Sequence, residues 1–277
     1  MMAIVYCCTV ETFSWKVGDI TEWLNIEDAV LAHRLSPIDG VALEIGTWKG
    51  GWILTLLFNG NRRRGIAIDP YPNLDYIRDV FVKNSGELFG ERVKLFDSLD
   101  SFRNSVNGNQ TFDIIHLDGE HSQAATEKDL NFALECLKPD GLLIVDDFFY
   151  HDFPGVTAGV FSKLPNFGLS PFLFSEKKLY LCKTSEYETY YAKAREILQS
   201  LSIAFFEDQN ITGKTGPYKQ SNSIYGFSLI IIDNFQLNRR KLYEHLNIKL
   251  PLELKKIITS WTPPIVMARY RRWRNRA

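Results

Sequence analysis

Two stretches of this chain hold the residues best suited to chemistry. IIHLDGEHSQ, residues 114–123, leaves an apolar run for Asp118, Glu120 and His121, and LLIVDD, residues 142–147, does the same for Asp146 and Asp147. Like charges brought together raise each other's pKa unless a cation sits between them. A hard divalent ion with oxygen ligands, Mg2+ foremost, would resolve that conflict for Asp118, Asp146 and Asp147. A histidine beside such a cluster suits general-base work at neutral pH. A third stretch, LEIGTWKGG at residues 43–51, places Glu44 at a strand end, then Gly46, Thr47, Gly50 and Gly51 where a helix would start. Glycines there let backbone approach a ligand closely. Asp69 ends the next apolar run, where a carboxylate can accept hydrogen bonds from both hydroxyls of a ribose.

These residues need a scaffold that gathers strand ends. From residue 41 to 183, short β-rich runs (VALEI, GIAID, RVKLF, FDIIHLD, LLIVDD) alternate with longer amphipathic ones, the pattern of a parallel sheet with crossover helices. KPDG reads as a sharp stop between the last such helix and the next strand. SPFLFS and KLYLCK, joined by a short polar turn, read as a closing hairpin. The expected fold is α/β: a Rossmann-like, seven-stranded mixed sheet with helices on both faces, plus a small C-terminal α+β appendage. The expected organisation is a helical extension at 1–40 containing IEDAVLAHRL, a core at 41–184, the appendage at 185–260 and a basic tail at 261–277. Within the appendage SEYETYYAKAREILQSL reads as helix, and SIAFF and SIYGFSLIII as strands. Ligands bind such sheets at the carboxyl ends of the strands, where Asp118, Asp146 and Asp147 fall. Adjacent strand residues point to opposite faces, so Asp146 and Asp147 reach one ion only if the strand has already turned. Otherwise one caps a loop and the other faces solvent.

Hydrophobic residues at 45% and charged residues at 23% of 277 are ordinary globular values. The net charge is −1, yet Arg269, Arg271, Arg272, Arg274 and Arg276 crowd the end, and without them the remainder carries −6. An acidic body argues against a nucleic-acid binder, since phosphate contacts need a basic surface. Cys7, Cys8, Cys136 and Cys182 form no CxxC pair, which fits a reducing, cytoplasmic setting. The opening MMAIVYCCTVETF has no basic n-region and no small-residue cleavage site, so no secretory signal is expected. No apolar run reaches membrane-spanning length. The tail TSWTPPIVMARYRRWRNRA interleaves arginines with Tyr270 and Trp273, which suits peripheral contact with an anionic membrane surface as well as a solvated terminus.

The E-x-G-x-x-x-G loop from Glu44 to Gly50, the acid ending the second strand and the late hairpin resemble the class I S-adenosylmethionine-dependent methyltransferases. The resemblance implies that the loop around Gly46 lies against the methionine end of S-adenosyl-L-methionine, that Asp69 holds its ribose and that Asp97 and Ser98 flank its adenine. A helix N-cap is the other role open to Asp97 and Ser98. DGEHSQAATEKDL, LKPDGLLIVDDFF and FPGVTAGV in that order resemble the metal-dependent sugar O-methyltransferase branch, related to the macrocin and mycinamicin enzymes. That likeness implies metal ligation by Asp118, Asp146 and Asp147 and a general base just after Asp118. Members carry either an acid two residues on or a histidine three residues on; this chain has both, Glu120 and His121. The chemistry favours His121, while a structural role capping the following helix stays open. Gln123 and Trp52 depart from the branch's usual residues, and His151 lies near enough in sequence to be considered.

The expected function is Mg2+-dependent methyl transfer from S-adenosyl-L-methionine to a hydroxyl of a sugar, glycan or glycosylated metabolite. Metal-independent methylation of a small-molecule hydroxyl or amine, and a non-catalytic scaffold in glycan assembly, are the alternatives. The glycine spacing disfavours a dehydrogenase. The expected partner is the small-molecule or glycan acceptor, with oligomeric state, a homo-oligomer included, left open.

Overall fold

The computed structural model describes residues 26–232 apart from 38, 60–61, 72–73, 106–109, 176, 202, 204 and 208–222. The chain runs α1 (Ile26–Leu35), β1 (Val41–Ile45), α2 (Gly51–Asn59), β2 (Arg64–Ile68), α3 (Asp75–Ser85), β3 (Val93–Phe96), α4 (Leu99–Ser105) and β4 (Phe112–Leu117). It continues through α5 (Gln123–Cys136), β5 (Leu137–Val145), α6 (Pro154–Lys163), β6 (Leu169–Ser175), β7 (Lys178–Lys183) and α7 (Tyr187–Ser200). Four short strands complete it: β8 (Phe205–Phe206), β9 (Ser223–Ile224), β10 (Phe227–Ser228) and β11 (Ile230–Ile232).

The main sheet has the order β3-β2-β1-β4-β5-β7-β6-β11-β8. From β3 to β5 all neighbours are parallel, while β7 runs antiparallel to both β5 and β6. The order reverses between β1 and β4, the switch point at which open α/β sheets form a ligand crevice. Strand β4 is buried along its whole length, as expected of a central parallel strand covered on both faces. Side chains alternate between two cores. Ala42, Ile114, Ile144 and Tyr180 pack with α1, α2 and α7, whereas Leu43, Ile115, Val145 and Leu181 pack with the other face's helices.

The expected mixed sheet is present, with nine strands among the described residues rather than seven. The two extra strands come from the region after residue 184: β11 pairs with β6 in parallel and β8 pairs with β11. They cover the edge that β6 would otherwise expose. SIYGFSLIII is not one strand, because Tyr225 and Gly226 both take positive φ, 50° and 85°. Two such residues form the tight turn of a hairpin, so the run becomes β9, turn, β10 and then β11. KPDG does not stop the chain before β5 but falls inside it. Leu137 pairs with Phe112, regular pairing resumes at Leu142 opposite Ile114, and the intervening residues bulge out. Cys7, Cys8, the polar loop after residue 207 and the basic tail lie outside the described residues. Among the described residues no helix is long and apolar enough to cross a membrane.

The motif FPGVTAGV acts through packing. A Cβ on Gly155 would lie 2.5 Å from the His121 carbonyl oxygen and one on Gly159 would lie 2.8 Å from Thr126 Cβ. Glycines one turn apart thus let α6 settle against the start of α5, directly behind His121.

Candidate active site

The ends of β1, β4 and β5 are level with one another. Past the strands, Gly46 N–H donates to Ile68 O (2.8 Å), Asp118 N–H to Ile45 O (2.8 Å) and Asp146 N–H to Leu117 O (2.9 Å). Gly46 has φ +83°, and a Cβ there would stand 1.8 Å from the Asp118 carbonyl oxygen. The glycine is therefore demanded by the backbone of β4's end, which presses directly on the loop after β1.

Asp69 clamps that loop. Its Oδ2 accepts from Trp48 N–H and its Oδ1 from Tyr71 N–H, both at 2.9 Å, and the Tyr71 hydroxyl donates to Trp48 O at 2.5 Å. Trp48 and Tyr71 both take positive φ, 47° and 43°, a strain that non-glycine residues adopt chiefly at functional sites. Burial raises the Asp69 pKa, with the two backbone bonds opposing the rise. Ser98 Oγ accepts from Ser101 N–H at 3.1 Å, so Ser98 caps α4, while Asp97 is exposed beside it. The capping alternative is thus realised for Ser98. Ser98→Ala is expected to lower stability by about 1 kcal/mol, measured as a shift in urea midpoint.

Asp118, Asp146, Asp147 and His121 come together. His121 Nε2 stands 3.1 Å from Asp147 Oδ2 and 3.7 Å from Asp118 Oδ1, and its ring stacks on Phe153 at 3.9 Å. The geometric objection to two adjacent carboxylates is answered by Asp147, whose φ of +54° turns the chain immediately after the strand. Its N–H donates back to Asp146 Oδ1 at 2.8 Å. Glu120, by contrast, is exposed on the rim of the crevice, away from that contact. His151 is also exposed and pairs with Asp152 at 3.2 Å; Gln123 opens α5 and donates to Glu127.

The β6–β7 turn adds two cations that the sequence reading passed over. Lys177 Nζ donates to Asp147 Oδ1 at 2.5 Å and lies 3.7 Å from Asp146 Oδ1, and it also sits over the Tyr150 ring. Lys178, 1% exposed, donates to Asp146 Oδ2. Burial opposes ionisation of Asp146, but the Lys178 charge overrides it and holds the acid far below the ordinary range. Burial, then the Asp146 charge, raises Asp118 to about 7. The Asp118 carboxylate, then that of Asp147, raises His121 to about 9.

Behind this layer lies a second buried group, of which the sequence reading had Glu44 and Thr47 but not His116. Glu44 accepts from the Thr47 hydroxyl at 2.6 Å and lies 3.0 Å from His116 Nδ1. His116 Nε2 is 3.0 Å from Lys178 Nζ, and the Trp52 indole stacks on its ring at 4.3 Å. Burial pushes Glu44 well up and His116 well down. The available signal was His116 itself, a polar residue sharing the face of Ile114 in a strand apolar on both sides.

Residues 43–148 match the family model Methyltransf_24, described as a methyltransferase domain. Over those residues, less than half of the chain, it is similar to methyltransferase domains, in keeping with the S-adenosylmethionine-dependent class expected from its motifs. Among solved structures it is similar to the O-methyltransferase from Bacillus cereus in complex with SAH, at 17% identity over 58% of this chain and 83% of that one, TM-score 0.46. It is also similar to CalS11, a TDP-rhamnose 3'-O-methyltransferase of calicheamicin biosynthesis, at 16% identity over 57% and 77%, TM-score 0.47. No curated protein matches the chain.

Proposed function

We propose that this chain transfers the methyl group of S-adenosyl-L-methionine to a hydroxyl of a sugar, glycan or glycosylated metabolite. The observation that carries the proposal is the contact of His121 with Asp147 and Asp118 at strand ends abutting the Gly46 loop. In this scheme Glu44, Gly46, Thr47 and Gly50 shape the methionine end of the cofactor site, Asp69 takes the ribose, and Asp97 and Ser98 border the adenine. Asp118 faces both the cofactor and the acceptor. His121 Nε2 takes the acceptor's proton as the oxygen attacks the methyl carbon in line with the departing sulfur. The products are a methyl ether, S-adenosylhomocysteine and an imidazolium held by Asp118 and Asp147. The sugar class rests on the ordered motifs DGEHSQAATEKDL, LKPDGLLIVDDFF and FPGVTAGV. The anionic-surface role of the arginine-rich tail remains part of the proposal.

Two overlapping donor groups could take a divalent cation: Asp118, Asp147 and His121 have ligand atoms within 4.8 Å of one another, and so do His116, Asp118 and Asp146, with Asp118 common to both. Asp118, Asp146 and Asp147 would hold Mg2+, which supplies a Lewis acid for the acceptor hydroxyl. Lys177 and Lys178 favour the metal-independent alternative, because their ammonium groups already neutralise Asp147 and Asp146. Chelation separates the two. With Mg2+ required, EDTA and Asp147→Asn are each expected to lower transfer by at least about 100-fold, with Mg2+ restoring the chelated enzyme only. Transfer that survives EDTA gives the cation's role to the lysines.

The test of function is radiolabelled methyl transfer onto a panel of sugar nucleotides and lipid-linked glycans, preceded by calorimetry with S-adenosylhomocysteine. Absence of S-adenosylhomocysteine binding would overturn the proposal. Methylation confined to non-sugar hydroxyls or amines would overturn the acceptor class.

A further inference from the structure

We propose that Lys178 is a positioning residue whose buried ammonium holds the acceptor half and the cofactor half of the site together; this rests on the methyltransferase proposal above. Lys178, Tyr180 and Cys182 alternate with Leu179 and Leu181 along β7, so Lys178 points into the core layer of Ile114 and Trp52. An ammonium at a core position is retained only with partners, and the partners here lie on two other strands. Asp146, at the end of β5, accepts one proton. His116, on β4, receives another at Nε2.

That second contact fixes the histidine's tautomer. An ammonium has donors and no acceptor, so His116 Nε2 must offer its lone pair and the ring proton must sit on Nδ1. Nδ1–H then donates to Glu44 Oε1, while the Thr47 hydroxyl donates to Glu44 Oε2. Glu44 and His116 face each other in the β1–β4 register, and Trp52 covers the imidazole. A continuous chain thus runs from the cofactor loop at Thr47 through Glu44, His116 and Lys178 to Asp146. The strand pair that carries Lys178 is braced by α1. Asp28 accepts from Ser175 Oγ at 2.5 Å and from the Tyr180 hydroxyl at 2.7 Å, and Ser175 is the register partner of Lys178.

Nitrogen-15 NMR of histidine-labelled full-length protein, with His116 assigned by a His116→Gln variant, tests the chain directly. The wild type is expected to show neutral His116 protonated at Nδ1. Protonation at Nε2, or at both nitrogens, overturns the proposal without any need for a Lys178 variant. In Lys178→Met the Nε2 acceptor loses its donor while Glu44 can still hold the Nδ1 proton, so the Nε2 nitrogen-15 shift is expected to change. S-adenosylhomocysteine affinity should fall about tenfold, although Lys178 touches no part of the cofactor loop. A folded Lys178→Met protein with the wild-type Nε2 shift and affinity within twofold overturns it as well. Wild-type protein that binds no S-adenosylhomocysteine defeats the methyltransferase proposal and with it this role, whereas the tautomer reports on the hydrogen-bonded chain alone.

Discussion

Replacing His121 by alanine is expected to lower kcat by about 10²- to 10⁴-fold, the range for loss of a general base, while S-adenosylhomocysteine affinity stays within twofold. Glu120→Ala is expected to keep most of the activity, because Glu120 stands at the exposed rim and His121 makes the contact with Asp147. Asp118 and Asp147 raise His121 to about 9, so without a divalent cation the imidazole is protonated at neutral pH and cannot accept a proton. The rate should then climb with pH towards about 9. A cation drawn to the same carboxylates weakens their hold on the imidazole and should move that limb to lower pH. The folded state responds oppositely. A raised histidine pKa stabilises most below the unfolded value of about 6.5, and that contribution disappears as pH rises through about 9. Cation-free protein should therefore lose thermal stability across that window, and His121→Ala should lose less. Full methyl transfer by His121→Ala would reassign the base.

Gly46→Ala is expected to be the most damaging single methyl addition in the core, lowering stability by more than about 4 kcal/mol, a size reached only by severe lesions. The added Cβ would lie 1.8 Å from the Asp118 carbonyl oxygen and 2.8 Å from Gly119 N, on a residue with φ +83°. Both obstacles are backbone, so neither can swing aside. Gly86→Ala provides the control: φ there is +52° but nothing lies within 4 Å of the added carbon. It should cost only about 1–2 kcal/mol of left-handed strain. Denaturant midpoints compare the two. Similar losses would mean that the loop after β1 yields and that strand β4's end does not fix its position.

Much of this fold could be read from alternation alone. The five parallel strands each announced themselves as short β-branched runs, and the helices between them as longer amphipathic stretches closing on turn residues. The carboxylates were legible for the same reason, since Asp118, Asp146 and Asp147 each follow an apolar run that must end at one edge of the sheet. Less legible were features set by tertiary contact. The strands β8 and β11 fall in runs read as strands, SIAFF and SIYGFSLIII, but their place in the main sheet, β11 beside β6 and β8 beside β11, depends on tertiary pairing. Lys177 and Lys178 looked like an ordinary polar turn, yet pairing of β6 with β7 places both ammonium groups against acids distant in sequence. His116 was hidden inside an otherwise apolar strand. Trp52, a departure from the related branch, has a partner in His116 that sequence spacing does not reveal.

The left-handed turn at Asp147 makes two demands on one residue: an anionic oxygen for its neighbours and a backbone tolerant of φ +54°. Asparagine tolerates that backbone and lacks the charge, glycine has the backbone freedom and no side chain, and glutamate keeps the charge on a frame that disfavours the turn. Substitution at this one position therefore separates the electrostatic from the conformational part of the site. Alanine, the customary choice, would confound them.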